Sequence, residues 1–382
     1  MSKDWSDRKA ETTEIMIPVT KPFLPPLEEI KPYLEEIWER KILSNNGPLH
    51  IQLEEALAQH LGVQHLSLFC NATIALITAQ QALGVSGEVI TTPYSFVATS
   101  HSLQWMRNQP VFVDIDPVSL TIDPKKIEAA VTENTVAIMP LHCYGNTCDT
   151  DEIREIAQQR SLKLIYDACH SFGVEDNGGS VLRHGDISVV SFHATKVFNT
   201  FEGGLLIAPD AETKKKVDHL KNFGFVDETV VTEAGINGKM SEFNAAVGLA
   251  QLKHMPSIID QRAELDGLYR ELLNPVEGIR CLTPVRQRKR NYAYFPIFVG
   301  DEYGLDRETL YSKLKDNGIF GRRYFYPLIS EFEMYKSIPS SNPANLPIAT
   351  QASRRVICLP LFPDLEKKHV ERICELIASG CR

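Results

Sequence analysis

The chain contains no run of 18 apolar residues, so no membrane-spanning helix is expected. Residues 1–14 are polar and mixed in charge, lacking the apolar centre of a secretory signal. No CxxC pair occurs. The eight cysteines, at 70, 143, 148, 169, 281, 358, 374 and 381, are scattered through 382 residues. They read as reduced, mostly buried thiols of a cytoplasmic protein rather than a disulfide framework. His142-Cys143 with Cys148 suggests a metal corner, but no second ligand pair has zinc-like spacing, and no metal is expected. A surplus of positive charge is also missing. Forty basic residues face 49 acidic ones, a formal net charge of −9, which argues against a nucleic-acid coat. The one dense basic run, Arg286-Gln287-Arg288-Lys289-Arg290, reads as a solvated loop or as a clamp for a phosphorylated ligand. There is no internal repeat and no low-complexity segment.

What the chain does contain is a regular alternation. Short apolar runs at 66–69, 89–92, 111–113, 136–141, 162–166, 187–192 and 205–208 are separated by helix-like segments. Several runs are continuously apolar, as strands are when both faces of a sheet are covered. In 149–160, Asp149 is a plausible N-cap, Asp151 and Glu152 load the first turn, and Ile153, Ile156 and Ala157 mark one face. The pattern predicts an α/β fold with a large domain built on a mainly parallel, seven-stranded sheet. From Ser241 the pattern becomes helical, interrupted near Pro256, and 292–299, 310–317 and 369–377 suggest a smaller C-terminal α+β domain. Leu359-Pro360-Leu361-Phe362-Pro363 breaks regular structure inside it. The expected organisation is a flexible tail at 1–14, a large domain at 15–255 and a linker helix with a small domain at 256–382. The Pro-, Asn- and Gly-rich stretch at 21–52 is expected to wrap the small domain or a site entrance.

Chemistry concentrates at strand ends. The run Leu164-Ile165-Tyr166 ends in Asp167. Lys196 follows Ser191-Phe192-His193-Ala194-Thr195, between two apolar runs, and a lysine there is surface-exposed, paired or covalently used. An acid at a strand end and a later loop lysine supply what a pyridoxal phosphate enzyme needs: a carboxylate for the pyridinium nitrogen and an amine for a Schiff base. The same lysine can then serve as general base and acid. The bland alternatives are a surface lysine and an acid that caps the next helix. His170, three residues after Asp167, is spaced to lie beside the cofactor's ring oxygen or is a satisfied structural histidine. Phe69-Cys70-Asn71-Ala72-Thr73 reads as a strand end turning into a helix, where free amides favour a phosphate. Thr73 and Ser191 offer hydroxyls; Thr73 also reads as a plain N-cap. Pro93-Tyr94-Ser95-Phe96 follows a strand, and Phe96, in preference to Tyr94, is placed to cover a ring, with core packing the alternative for each.

In order along the chain come Gly47-Pro48, Asn71-Ala72-Thr73, Pro93 to Phe96, His142-Cys143-Tyr144-Gly145, Asp167-Ala168-Cys169-His170, Ser191 to Lys196, Glu202-Gly203-Gly204, Gly235 to Glu242 and Leu359-Pro360-Leu361. This ordered set resembles the DegT/StrS-type nucleotide-sugar aminotransferases, a branch of the fold-type I pyridoxal phosphate enzymes. The resemblance spans about 17–377. It implies that Lys196 is the Schiff-base lysine, that Asp167 pairs with the ring nitrogen, that Phe96 stacks on the ring and that His170 lies near its hydroxyl. It implies that Ala72, Thr73 and Ser191 hold the phosphate, and that Asn237 reaches the phosphate of a neighbouring subunit, making a homodimer with shared active sites. Pyridoxamine phosphate would form during turnover, with L-glutamate as donor and 2-oxoglutarate as product.

Ala72, Phe201 and the run Lys239-Met240-Ser241-Glu242 depart from the commonest family pattern. The Asn-Ala-Thr and Lys-Met-Ser-Glu variants look most like the branch that aminates C4 of dTDP-4-keto-6-deoxyglucose. Tyr324, Tyr326 and Lys239 are candidates for the sugar side, and Arg288 or Arg290 for the diphosphate. The rival substrates are C3 of a dTDP-3-keto sugar and C4 of a UDP-linked acetamido sugar. A rival of another class is a regulatory or binding protein that kept the fold without turnover.

Overall fold

The computed structural model describes residues 16–381; the expected tail at 1–14 lies outside them. Seven strands form the central sheet: β1 (His65–Phe69), β2 (Glu88–Thr91), β3 (Gln109–Phe112), β4 (Thr135–Ile138), β5 (Lys163–Asp167), β6 (Ile187–Ser191) and β7 (Gly204–Ala208). Their spatial order is β1-β7-β6-β5-β4-β2-β3. Each falls on one of the apolar runs. Neighbours are parallel except β7, which runs antiparallel to both β1 and β6.

The continuous apolar character of these strands follows from burial on both faces. Along β7, Leu205 and Ile207 join one core with Leu49, Leu53 and Leu57 of the helix Pro48–Leu61. Leu206 and Ala208 join the opposite core with Ala75, Leu76 and Ala79 of the helix Ala72–Leu83. A fully buried aliphatic side chain is worth roughly 1.5–3 kcal/mol, so neither face tolerates polar replacement. The helix Thr150–Gln159 starts where expected, with Asp149 accepting from the Glu152 amide at 3.2 Å.

A second, three-stranded antiparallel sheet holds β8 (Ile279–Cys281), β9 (Phe295–Val299) and β10 (Val356–Leu359), with β9 in the middle. The long helix Met255–Leu273, with Pro256 in its first turn, packs against the helix Lys367–Ala378 and shares a core with this sheet. The N-terminal stretch reaches this unit too. Ile17–Pro18 pairs in parallel with Ile319–Phe320, Ile17 lies in the same core, and the Leu361 amide donates to the Val19 carbonyl at 3.0 Å. The chain then crosses back through the helix Leu27–Arg40, which packs on the helix Glu242–Leu252.

Two motifs of the sequence meet in a structural lock. Glu242 is 2% exposed. Its carboxylate accepts from the Leu49 and His50 amides at 2.9 and 2.8 Å, capping the helix that Gly47-Pro48 begins. A Cβ on Gly47 would stand 2.6 Å from that carboxyl carbon. Glu242→Ala strands two buried amides at a helix N-terminus and is expected to lower stability by about 2–4 kcal/mol, read from the denaturant midpoint. Glu242→Gln, which keeps one acceptor oxygen, should lose less.

Candidate active site

The carboxyl ends of β5 and β6 carry the site, as open α/β sheets usually arrange. Asp167, the last residue of β5, is opposite Val189 of β6, and Ser191 lies two residues further on. Gly204 is opposite Ser191 on one side and Phe69 on the other. β7 thereby brings Ser191 toward the turn that follows Phe69. A Cβ on Gly204 would stand 2.7 Å from the Ala72 amide nitrogen, so the strand and the turn can touch only with glycine there.

In that turn Asn71, not Thr73, is the N-cap: its side chain accepts from the Ile74 amide at 2.9 Å. The plain-cap alternative for Thr73 is thereby removed. The Ala72 and Thr73 amides open the helix and the Thr73 hydroxyl stands beside them, a donor set of the kind that receives a phosphate.

Asp167 is 4% exposed. Its Oδ2 accepts from the Thr99 hydroxyl at 2.6 Å and its Oδ1 from the Cys169 amide at 3.1 Å. No side-chain cation among the described residues forms an ion pair with it. A buried carboxylate with neutral donors alone is costly, and a pyridinium N–H is the partner its chemistry lacks. Thr99 is one turn after Phe96 at the start of the helix Val97–Trp105, so both lie on one helical face. Phe96 is 57% exposed, whereas Tyr94 is fully buried, bonded to the Tyr144 hydroxyl at 2.8 Å. Phe96 is therefore the ring free to cover a heterocycle held over Asp167.

His170 is buried, and burial followed by the nearby Lys196 charge pushes its pKa well below the usual range, so it is neutral. Its Nδ1 accepts from the Tyr144 amide at 3.2 Å, which places its proton on Nε2. Tyr144 achieves this with φ +56°, a left-handed conformation that a non-glycine residue adopts at some cost. The His142-Cys143-Tyr144-Gly145 motif thus aims one amide at one imidazole nitrogen. Asn291 donates to the His170 and Phe172 carbonyls at 2.8 and 3.0 Å and fixes the loop from below.

Lys196 is half-buried and shares a small pocket with Cys169, His170, Ser191 and Tyr294. Its Nζ donates to the Tyr294 hydroxyl at 3.3 Å. Burial by itself pushes the ammonium toward deprotonation, but Tyr294, Cys169 and Asp167 together outweigh it and raise the pKa above 10.5. A helix N-terminus, an exposed aromatic, a buried acid with no side-chain cation among the described residues, a neutral imidazole and an amine thus follow the carboxyl ends of parallel strands of one sheet. The residues present fit pyridoxal phosphate.

The other candidates divide. Tyr324 belongs to the aromatic cluster of the site: its ring stands edge-on to Tyr294 at 6.0 Å, and its carbonyl accepts from Tyr144. Tyr326 instead stacks under Arg307 and Arg323, at 4.4 and 5.3 Å. Of the basic run, Arg286 pairs with Asp149, Lys289 with Glu175 and Arg290 with Asp266. Arg288 is exposed and, among the described residues, has no acidic partner. Lys239 bonds Asn222 Oδ1 at 2.6 Å and lies over the Phe223 ring, and Asn237 is exposed on the same loop. Thr99, Tyr144 and Tyr294 were not singled out from the sequence. Tyr144 lies inside the His142-to-Gly145 motif and Thr99 at helical spacing from Phe96, whereas Tyr294 carries no local signal.

Residues 27–378 match the DegT/DnrJ/EryC1/StrS aminotransferase family. A protein of Shigella dysenteriae named dTDP-4-amino-4,6-dideoxy-D-glucose transaminase is 54% identical over 359 residues, 94% of this chain and 97% of its own. A protein of the same name from Escherichia coli is 52% identical over 363 residues, 94% and 98% of the two chains. Among solved structures, DesI in the presence of its TDP-sugar product superposes with a TM-score of 0.91 at 34% identity, covering 95% of this chain and 92% of that one. With its seven-stranded sheet, its strand-end acid and lysine and a match across nearly its whole length, this chain belongs to the DegT/DnrJ/EryC1/StrS aminotransferase family.

Proposed function

We propose that this pyridoxal phosphate-dependent nucleotide-sugar aminotransferase moves an amino group from L-glutamate to C4 of dTDP-4-keto-6-deoxyglucose. The products are 2-oxoglutarate and dTDP-4-amino-4,6-dideoxyglucose. The observation that carries the sugar assignment is identity of 54% and 52%, over nearly the full length, to two transaminases named for that product.

When bound, pyridoxal phosphate supplies an electron sink that lets the amine-bearing carbon give up a proton. The chain's own residues do the rest in this reading. Ala72, Thr73 and Ser191 hold the phosphate, Phe96 covers the ring face, and Asp167 keeps a proton on the ring nitrogen by opposite charge. His170 presents Nε2–H toward the ring hydroxyl. Lys196 anchors the cofactor and then carries a proton from one carbon to another. On the substrate side we favour Tyr324 for the sugar and Arg288, the cation of its run without an acidic partner among the described residues, for the diphosphate. Tyr326, Lys239 and Arg290 are placed second because each is already engaged elsewhere.

The working unit in this proposal is a homodimer. Trp38, Leu43, Ile51, Phe201 and Phe243 are all exposed, and the last two stack at 5.8 Å. Apolar surface of this extent favours a covering partner, and a second copy would set Asn237 against its neighbour's phosphate. The division into 15–255 and 256–382 also belongs to this proposal, with Ile17–Pro18 joined to the second unit by packing. So does a cytoplasmic location; among the described residues no helix is long and apolar enough to cross a membrane.

The test is a panel of nucleotide-linked keto sugars with glutamate as donor and NMR of the product. The 4-keto-6-deoxyglucose substrate should be aminated at C4 with the highest kcat/KM. Amination of a 3-keto sugar or a UDP-linked acetamido sugar alone would move the assignment to that substrate. Purified protein that takes up no cofactor would instead favour a regulator.

A further inference from the structure

Two groups have no part in the scheme above: the half-buried Tyr294 phenol, which touches Lys196, and the buried Arg262 guanidinium, which holds the chain just before Tyr294. Tyr294 stands immediately before β9, 98 residues from the lysine it touches. Its ring is held edge-on by His170 at 4.8 Å, Tyr144 at 5.6 Å and Tyr324 at 6.0 Å. The Lys196 ammonium is also 6.0 Å from the ring centroid. Arg262, 3% exposed, donates to the Tyr292 carbonyl at 3.2 Å and the Leu361 carbonyl at 3.1 Å, has no carboxylate partner among the described residues, and leaves its Nε without an acceptor. Burying such a cation is expensive. What it secures is the backbone two residues before Tyr294. The ring is therefore packed by three aromatic neighbours, and the chain leading to it is held at Tyr292.

A lysine side chain has four rotatable bonds and, unheld, spreads its amine over many positions. We propose that Tyr294 is the positioning residue for Lys196. Its phenol oxygen accepts one N–H of the amine, leaving the nitrogen lone pair aimed at the reacting carbon after the covalent link to the cofactor has opened. Tyr294 neither gains nor loses a proton; Lys196 takes the proton from one carbon and returns it to another. This rests on the aminotransferase reading, which supplies the reacting carbon.

Tyr294→Phe removes the hydroxyl and keeps the ring. In the holoenzyme it is expected to slow amine transfer from glutamate about 10- to 100-fold, the scale on which a misplaced group loses rate. KM for glutamate should change by less than about twofold. The isotope effect with α-deuterated glutamate should rise, because proton transfer becomes the slow step. Cofactor content should match the parent protein. An unchanged rate and isotope effect overturn the proposal. So does a loss of rate that merely parallels a loss of bound cofactor.

A second measurement uses the cofactor-free protein: the pH midpoint for chemical modification of the Lys196 amine, followed by mass spectrometry. Burial lowers that pKa and Tyr294 is foremost among the groups raising it, so Tyr294→Phe should move the midpoint to lower pH. An unmoved midpoint overturns the contact itself. This readout involves neither glutamate nor sugar, so it fails or succeeds independently of the substrate assignment.

Discussion

Lys196→Ala is expected to abolish transamination, lowering amine transfer from glutamate by at least about 10⁴-fold, since general acid–base catalysis alone supplies 10²–10⁴. The covalent anchor is lost by the same change. The neighbours of Lys196 offer no substitute base. His170 is held neutral with its Nδ1 engaged by the Tyr144 amide, and burial raises the pKa of both Tyr294 and Cys169. The remaining binding groups are untouched, so the variant should retain cofactor without the covalent link. Denaturing release of the cofactor measures the first, and the absence of a reducible lysine adduct by mass spectrometry measures the second. A small exogenous amine admitted to the vacated space should restore part of the rate. Turnover near that of the parent protein would remove Lys196 from its assigned role.

The parts of the fold that could be read from the sequence are those that local physics determines. The strands of the central sheet carry from two buried residues at the edge, in Gln109–Phe112, to five in Ile187–Ser191 and Gly204–Ala208, so most of them show as short apolar runs. Strand direction did not show. β7 opposes its neighbours because the chain returns through the Lys196 loop by a short connection rather than a crossover helix, and apolar runs carry no record of that. The run at 136–141 overreached for a related reason. Met139 to Leu141 are buried beyond the end of β4, and Leu141 forms only an isolated bridge to Asp167.

The candidate site was legible where its residues sit at strand ends and illegible where it depends on distant partners. Thr99 is 68 residues from the Asp167 it holds, and Tyr294 is 98 from Lys196. The basic run makes the same point. Arg286 and Lys289 find their acids 137 and 114 residues away, so a charge cluster that reads as a solvated loop or as a clamp is mostly a set of separate staples. Glu242 reads as part of a substrate-linked motif, yet its carboxylate is spent on the Leu49 and His50 amides.

Asp167→Ala is expected to cost about 10²–10³-fold in kcat, the range seen when one preorganised electrostatic partner is removed from an active site. Opposite charges in contact favour the charged form of each partner. Without the carboxylate the ring nitrogen has no reason to stay protonated, and the electron sink weakens. The substitution also strands the Cys169 amide and leaves the Thr99 hydroxyl with Ser95 alone, so a stability loss of about 1–3 kcal/mol accompanies it. Asp167→Asn separates the two effects. It keeps an acceptor oxygen for the Cys169 amide, and the Thr99 hydroxyl can turn to accept from the new NH2, so it should restore much of the stability while leaving kcat low. A cofactor methylated on the ring nitrogen is permanently cationic and no longer needs the acid. Loaded into the alanine variant, where the methyl group fits the vacated volume, it should recover much of the lost kcat. In the parent protein the same methyl group would press on the carboxylate and impair binding. Recovery in the variant with loss in the parent is the signature of a charge held against that nitrogen. If the methylated cofactor fails in both proteins while cofactor content is normal, Asp167 acts by holding Thr99 and the Cys169 turn, and the electrostatic role falls.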